Sequence, residues 1–331
     1  MIFVDESIGI GKQKLLLILA IDLSEYSFEK APRLEDVSVL DMSIASSWKS
    51  EKMQARLALL KQRGFEIKYG VSDGGASVVK SLADADIPRV ADCTHVFGNL
   101  IKNRYSQSEH FHDFCRFCRR LTLQVMIGKN TVIRPPAQRA KGKYLNILPL
   151  VAWGQKMLLL LKNSAHRLTP EQAKKLAPLK DYQPLIEQIS ELCNVLKQLS
   201  AILKNQGLNQ DSKQECYSVI EASNVPKEVQ QDLGSYLENN SILQHKYDNL
   251  ICCSDIIEST FGKYKRNLSL ATKGHINDNC LFIANYSGQF SIEETQQAME
   301  QIRIVDLAEW KATNTVTSLA KQQQELFKNT G

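Results

Sequence analysis

Three acidic segments carry the chemistry open to this chain: Ile2-Phe3-Val4-Asp5-Glu6-Ser7, Val71-Ser72-Asp73-Gly74-Gly75, and Ile256-Ile257-Glu258-Ser259-Thr260-Phe261-Gly262-Lys263. Asp5 and Asp73 each stand at the C-terminal end of an apolar run, and Glu258 stands on a stretch that reads as a helix. Carboxylates are hard oxygen ligands. Three of them converging from two strand ends and a helix could hold two magnesium ions, with manganese as a substitute. Such a pair activates one oxygen and stabilises the departing one during in-line displacement at phosphorus. Each residue also has an ordinary reading, because an aspartate after a strand is commonly a turn or cap residue, and a helical glutamate is commonly solvated. Their joint appearance, each in its expected setting, carries the metal reading. Glu6 competes with Asp5, but strand alternation turns it to the opposite face. Asp255 competes with Glu258 from one helical turn earlier.

The elements that must position these groups are legible in the first third of the chain. Residues 2–5 and 14–23 read as strands across a turn-rich piece, and residues 37–45 as a third strand. Residues 49–63 read as a helix with Met53, Leu57 and Leu60 on one face, ended by Gly64. Phe65 to Ser72 reads as the strand that delivers Asp73, and the glycines after it allow a tight turn with close backbone approach. Ala76–Ala85 is expected as a helix, Pro88–Ala91 as a strand and Val96–Tyr105 as a helix. Residues 106–250 then lose the strand pattern. Thr169-Pro170-Glu171-Gln172 is a helix start with a capping Thr and a reciprocating Gln. Leu185, Ile189, Leu192, Leu196, Leu199 and Leu203 form a helical seam, too short for a free coiled coil. A further helix opens around Ser223–Lys227, with Val229, Leu233 and Leu237 on one face. Ser291-Ile292-Glu293-Glu294 starts another in a polar tail whose last stretch, from Lys321, is expected to fray.

The order and setting of the three acidic segments resemble the catalytic domain of DDE transposases, over roughly residues 1–105 and 250–290. Strand-strand-strand, helix, strand, helix, strand is the order of the ribonuclease-H-like fold. A helical stretch between the second and third acidic residues resembles the insertion of Hobo/Activator-type enzymes, here assigned to a bacterial insertion-sequence type. The resemblance implies an α/β fold, a mixed five-stranded sheet flanked by helices and interrupted by a large all-helical insertion. The domains expected are a first core part at 1–105, an insertion at 106–250, a closing core helix at 251–290 and a helical tail at 291–331. It implies two-metal DNA cleavage and strand transfer, with Asp5 bridging two Mg2+ ions and Asp73 and Glu258 completing one shell each. Water as nucleophile nicks, and a freed 3′-hydroxyl joins. The implied partners are transposon-end and target DNA and a second copy in a homodimer, with no membrane. No end-recognition module is visible before Asp5. Two alternatives therefore stand beside the transposase: a catalytically silent DNA-binding remnant, and a nuclease of the same fold that nicks without joining.

The resemblance extends to other residues, each with a plainer alternative. Asp92 and His95 match a supporting acidic-histidine pair, or are a helix cap and a partly buried histidine. Lys265 lies seven residues after Glu258 on the same helix face, with Lys263 and Arg266 nearby, and contacts DNA phosphate or forms a solvated basic face. Trp153 stacks on a flipped base or sits in the core. Arg134, Arg139, Lys141 and Lys143 form a basic loop near Pro135-Pro136, either touching phosphate or simply solvated. His110, His112, Cys115 and Cys118 have the composition of a zinc site but not its spacing. A helix with Phe111, Phe114 and Phe117 interleaved is more economical. Gly9-Ile10-Gly11-Lys12 lacks the first glycine of a phosphate loop and precedes a strand, so it is set aside.

Bulk properties are permissive. The 331 residues carry a net charge of +5, which permits a nucleic-acid partner without arguing for one. Eight irregularly spaced cysteines suit reduced thiols in a cytoplasmic protein, nucleoid-associated if bacterial. The N-terminus lacks the basic-then-apolar pattern of a signal peptide, and the apolar runs are too short to span a bilayer.

Overall fold

The computed structural model describes residues 1–6, 13–127, 131–137, 147–270, 276, 278–315, 324 and 327. The loop at Gly9–Lys12, the basic residues Arg139, Lys141 and Lys143, and most of the final stretch from Lys321 lie outside the described residues. The chain divides into two compact units: residues 1–92, 204–207 and 249–331 form one, and residues 93–203 and 208–248 the other. The division places the helix after Asp92 with the second unit, whereas the sequence suggested a boundary after Tyr105.

The first unit opens with β1 (Ile2–Glu6), β2 (Lys14–Ala20), β3 (Ser38–Ala45), α1 (Ser50–Gln62), β4 (Gly70–Ser72), α2 (Ala76–Asp84) and β5 (Arg89–Ala91). The strands form one sheet in the order β3-β2-β1-β4-β5. β2 runs antiparallel to β1 and β3, while β1, β4 and β5 are mutually parallel. Parallel neighbours need crossovers, and α1 and α2 supply them. This is the ribonuclease-H-like sheet. One face buries Ile2, Val4, Leu16 and Ile18 against Met53, Leu57 and Leu60 of α1 and Val78 and Leu82 of α2. Alternation sends Phe3, Leu15, Leu17, Leu19 and Val71 to the other face, where all are fully buried.

Local chemistry explains where these elements stop. Gly64, with φ of +92°, ends α1 in a Schellman arrangement: Phe65 N–H donates to Leu60 O and Gly64 N–H to Lys61 O. β2 ends earlier than expected because Asp22 Oδ1 accepts from the backbone and hydroxyl of Ser24, making a turn. β4 is also shorter than the run from Phe65. Gly70 N–H bonds Pro88 O, and Pro88, with no N–H to give, ends the ladder; residues 65, 66 and 68 are exposed. On edge strand β3, Asp41 is buried and paired with Arg56 of α1.

The second unit consists of helices among its described regular elements: α3 (Cys93–Tyr105), α4 (Glu109–Ile127), α5 (Ile147–Asn163), α6 (Pro170–Leu176), α7 (Gln183–Gln206), α8 (Gln210–Glu221) and α9 (Lys227–Ser241). The capping box at the start of α6 forms as expected: Gln172 N–H donates to Thr169 Oγ1 at 3.2 Å and Thr169 N–H to Gln172 Oε1 at 2.9 Å. All six seam residues of α7 are buried, as are Val229, Leu233 and Leu237 of α9. In α4, Phe111, Phe114 and Phe117 are buried, and Phe114 and Phe117 pack on Tyr182 with ring centroids 5.6 Å apart. His110 stacks on the same tyrosine at 5.3 Å.

The chain re-enters the first unit through α10 (Asp255–Leu270), α11 (Ile292–Gln301) and α12 (Ile304–Asn314). α10 packs against β1 and α12 against β3. No described helix is long and apolar enough to cross a membrane.

Candidate active site

The site follows from strand register. β1 and β4 pair Ile2 with Gly70 and Phe3 with Val71. Continued two residues, that register sets Asp5 beside Asp73 on strands about 4.8 Å apart. Paired residues on parallel strands point to the same face, here the face of Phe3 and Val71. β4 and β5 pair Gly70 with Arg89 and Ser72 with Ala91, so one step further Asp73 lies beside Asp92. Three aspartates thus share one level at the C-terminal ends of three parallel strands. The chain turns from β1 towards β2 on one side and crosses to β4 on the other. The crevice at such a switch point, outside the strand ends, is where open α/β sheets bind ligands.

Each aspartate is held differently. Asp5 is half-buried, and its Oδ1 accepts from Glu6 N–H at 2.7 Å. Glu6 points to the opposite face and forms an ion pair with Lys14 at 2.5 Å, which takes it out of competition. Asp73 Oδ1 accepts from Gly75 N–H at 2.9 Å. A Cβ on Gly75 would stand 2.9 Å from that same oxygen, so a larger residue there would make the Asp73 carboxylate shift. The backbone beneath is clamped by Arg89, whose Nη2 donates to Asp73 O at 2.8 Å and whose Nε donates to Ser72 Oγ at 3.0 Å. Asp92 is buried, its N–H donates to Ser72 O at 3.1 Å, and its Oδ2 accepts from Ser254 Oγ at 2.5 Å.

That last bond positions the helix carrying the third acid. Ser254 immediately precedes α10, and its carbonyl accepts from Ile257 N–H at 3.0 Å. Upstream, Ile251 N–H donates to the Tyr69 hydroxyl at 3.0 Å, fastening the approach to the same sheet face. Glu258 lies four residues after Ser254, on the same side of the helix and about 6 Å along it. It is exposed, whereas Ile256, Ile257, Thr260, Phe261 and Tyr264 turn inward. Asp255, the competitor one turn earlier, forms an ion pair with Lys204. Lys265 Nζ lies 5.6 Å from the Phe261 ring centroid, Lys263 is half-buried and Arg266 exposed.

Among the described residues, Asp5, Asp73 and Glu258 do not bring three ligand oxygens within 4.8 Å of one another. The extended register sets Asp5 and Asp73 on adjacent strand ends, and Glu258 is an exposed residue of α10, the helix packed against β1. The donor set suits hard cations: carboxylate oxygens only, one oxygen of Asp73 fixed by a backbone N–H. Trp153 of α5 is 8% exposed with its Nε1 buried, so its ring lies in a core and is not offered to a base. His95 is half-buried on α3, and Arg134 is exposed. Sequence reading missed Arg89, Ser254 and Tyr69. None belongs to a motif, and each acts through a partner distant in sequence.

No protein-family model matches the chain, and no curated protein matches it. Among solved structures it is similar to a Drosophila P element transposase strand transfer complex, at 14% identity and a TM-score of 0.38, over 80% of this chain and 70% of that one. The site stands on its own register and contacts.

Proposed function

We propose that this chain is the catalytic part of a DNA transposase, cutting and rejoining DNA by displacement at phosphorus. What supports this reading is the strand register, which pairs Ile2 with Gly70 and Phe3 with Val71 and, continued two residues, would set Asp5 and Asp73 on adjacent strand ends, with α10 packed against β1. Asp5, Asp73 and Glu258 are the residues that would hold magnesium ions, which when bound lower the pKa of an attacking oxygen and neutralise charge on the leaving one. The chain's own part is placement. Gly75 N–H and Arg89 fix the Asp73 turn, Asp92 holds the start of α10 through Ser254, and Lys263, Lys265 and Arg266 offer cations to the DNA backbone. Asp92 is thereby a positioning residue, with His95 following it on α3.

The test is nicking of supercoiled plasmid with Mg2+ or Mn2+, together with joining of a labelled 3′-hydroxyl oligonucleotide. Asp73→Asn and Asp5→Asn are expected to lower nicking by roughly 100-fold or more, since even second-shell changes around metals cost 10–100-fold. Binding of Mn2+, followed by electron paramagnetic resonance, should weaken in the same variants. Nicking without joining points to the nuclease of this fold. Neither nicking nor Mn2+ binding points to the silent remnant and sinks the transposase reading.

A further inference from the structure

Apart from the three acids of the proposed magnesium site, Asp92, Cys93 and Cys253 bring a carboxylate oxygen and two sulfurs within 4.8 Å of one another. Asp92 and Cys253 belong to the first unit, and Cys93 is bonded directly to Asp92, so the peptide bond places it just past the end of β5. All three are buried, with exposures of 1%, 0% and 5% in that order. Neither cysteine is in a disulfide.

A buried carboxylate is costly unless it is paired, hydrogen-bonded or bound to a metal. Asp92 receives the Ser254 hydroxyl on Oδ2, and a carboxylate has a second oxygen that can ligate. The Cys253 sulfur accepts from Asp255 N–H at 3.4 Å, the kind of outer contact that orients a ligating group. Cys252 is turned elsewhere, its Sγ donating to Leu250 O at 3.5 Å. Two sulfurs and one oxygen are a mixed donor set. Magnesium, calcium and manganese take oxygen, whereas zinc accepts thiolate and carboxylate together. With zinc–sulfur bonds of about 2.3 Å in a tetrahedron, two ligating sulfurs stand about 3.8 Å apart. A cluster already within 4.8 Å closes on the ion by about 1 Å or less.

We propose that Asp92, Cys93 and Cys253 bind a zinc ion, with a water in the fourth position, as a structural site separate from the oxygen-only magnesium site. Asp92 follows β5 and lies beside Asp73, while Cys253 stands two residues before α10, the helix that carries Glu258. The ion staples the sheet's strand ends to the start of α10, adding to the Asp92–Ser254 bond, and its binding energy is folding energy. The proposal holds whether or not the chain is a transposase.

The test is metal content and cobalt spectroscopy of the full chain, purified under reducing conditions without chelator. Wild type is expected to carry zinc at one ion per chain by plasma mass spectrometry. Exchange for Co2+ should give the near-ultraviolet sulfur-to-cobalt charge-transfer band, and removal of zinc should lower the melting temperature. Cys93→Ala and Cys253→Ala should each weaken zinc affinity by roughly 100-fold or more, since even outer-shell changes cost 10–100-fold. Cys280→Ala, at a buried thiol outside the cluster, should leave zinc affinity unchanged. The cobalt band is read on wild type, so it decides even where a variant fails to fold. Wild type with neither zinc nor the band, or zinc held equally well by both cluster variants, overturns the proposal. Mn2+ held by oxygen gives no sulfur band, so failure of the magnesium site and failure of this one are told apart.

Discussion

The sheet unit and the helical unit handle their sequences differently. In the sheet unit both faces are packed with apolar side chains, and the polar chemistry is pushed to the strand ends, where Asp5, Asp73 and Asp92 line up. In the helical unit some polar pairs tie helix to helix: Tyr217 hydroxyl donates to Glu238 at 2.7 Å, and Lys213 pairs with the same carboxylate at 2.8 Å. Its thiols other than Cys115, and its tryptophan, are buried. Aspartates at an edge are aimed by backbone register, at little expense to the core. Helical seams do the reverse, contributing stability and aiming nothing. Substitutions should therefore separate cleanly into those that remove activity and those that remove stability.

The largest effect is on activity. Asp73→Asn should lose roughly 100-fold or more of metal-dependent nicking while shifting unfolding free energy by no more than about 1 kcal/mol, because the side chain is half-buried and its amide can still accept from Gly75. A stability loss matching the activity loss would break the separation. Next, Leu199→Ala in the α7 seam, fully packed in wild type, should cost about 2–5 kcal/mol in urea unfolding and leave residual folded protein with normal Mn2+ affinity. Ser254→Ala joins the two behaviours, since it removes the Asp92 bond that places α10. It should cost about 1–3 kcal/mol and also weaken Mn2+ binding. A stability loss with metal binding intact would show that α10 is positioned some other way. The smallest effect is chemical. Burial pushes the Cys193 thiol up to about 12, so at pH 8 only about one in 10,000 is the reactive thiolate. Mass spectrometry after iodoacetamide should find Cys193 unmodified until the chain unfolds and the partly exposed Cys115 modified first.

Much of this was open to sequence reading because it depends on neighbours in the chain. The α7 seam, the capping box at Thr169, the helix start at Ser291 and the end of α1 at Gly64 are all patterns within a few residues, and all formed as expected. The helix with interleaved phenylalanines at 111, 114 and 117 is of the same kind. The strand limits were harder. β4 begins only at Gly70 because Pro88, eighteen residues on, has no N–H to extend the ladder back towards Phe65. Trp153 could be read two ways from its apolar context, and burial decides for the core.

By itself, the amino-acid order determined which runs are strands, which are helices, and that an aspartate ends each of two apolar runs. Those properties follow from side-chain periodicity and local capping, which act over a few residues. Only the tertiary structure decided that β1 lies between β2 and β4, that the register sets Asp5 level with Asp73 and Asp92, and that Ser254 fastens α10 to Asp92 across 162 positions of chain. Strand order and long-range hydrogen bonds are settled by the packing of the whole sheet against its helices, a sum over contacts that no single stretch of sequence contains.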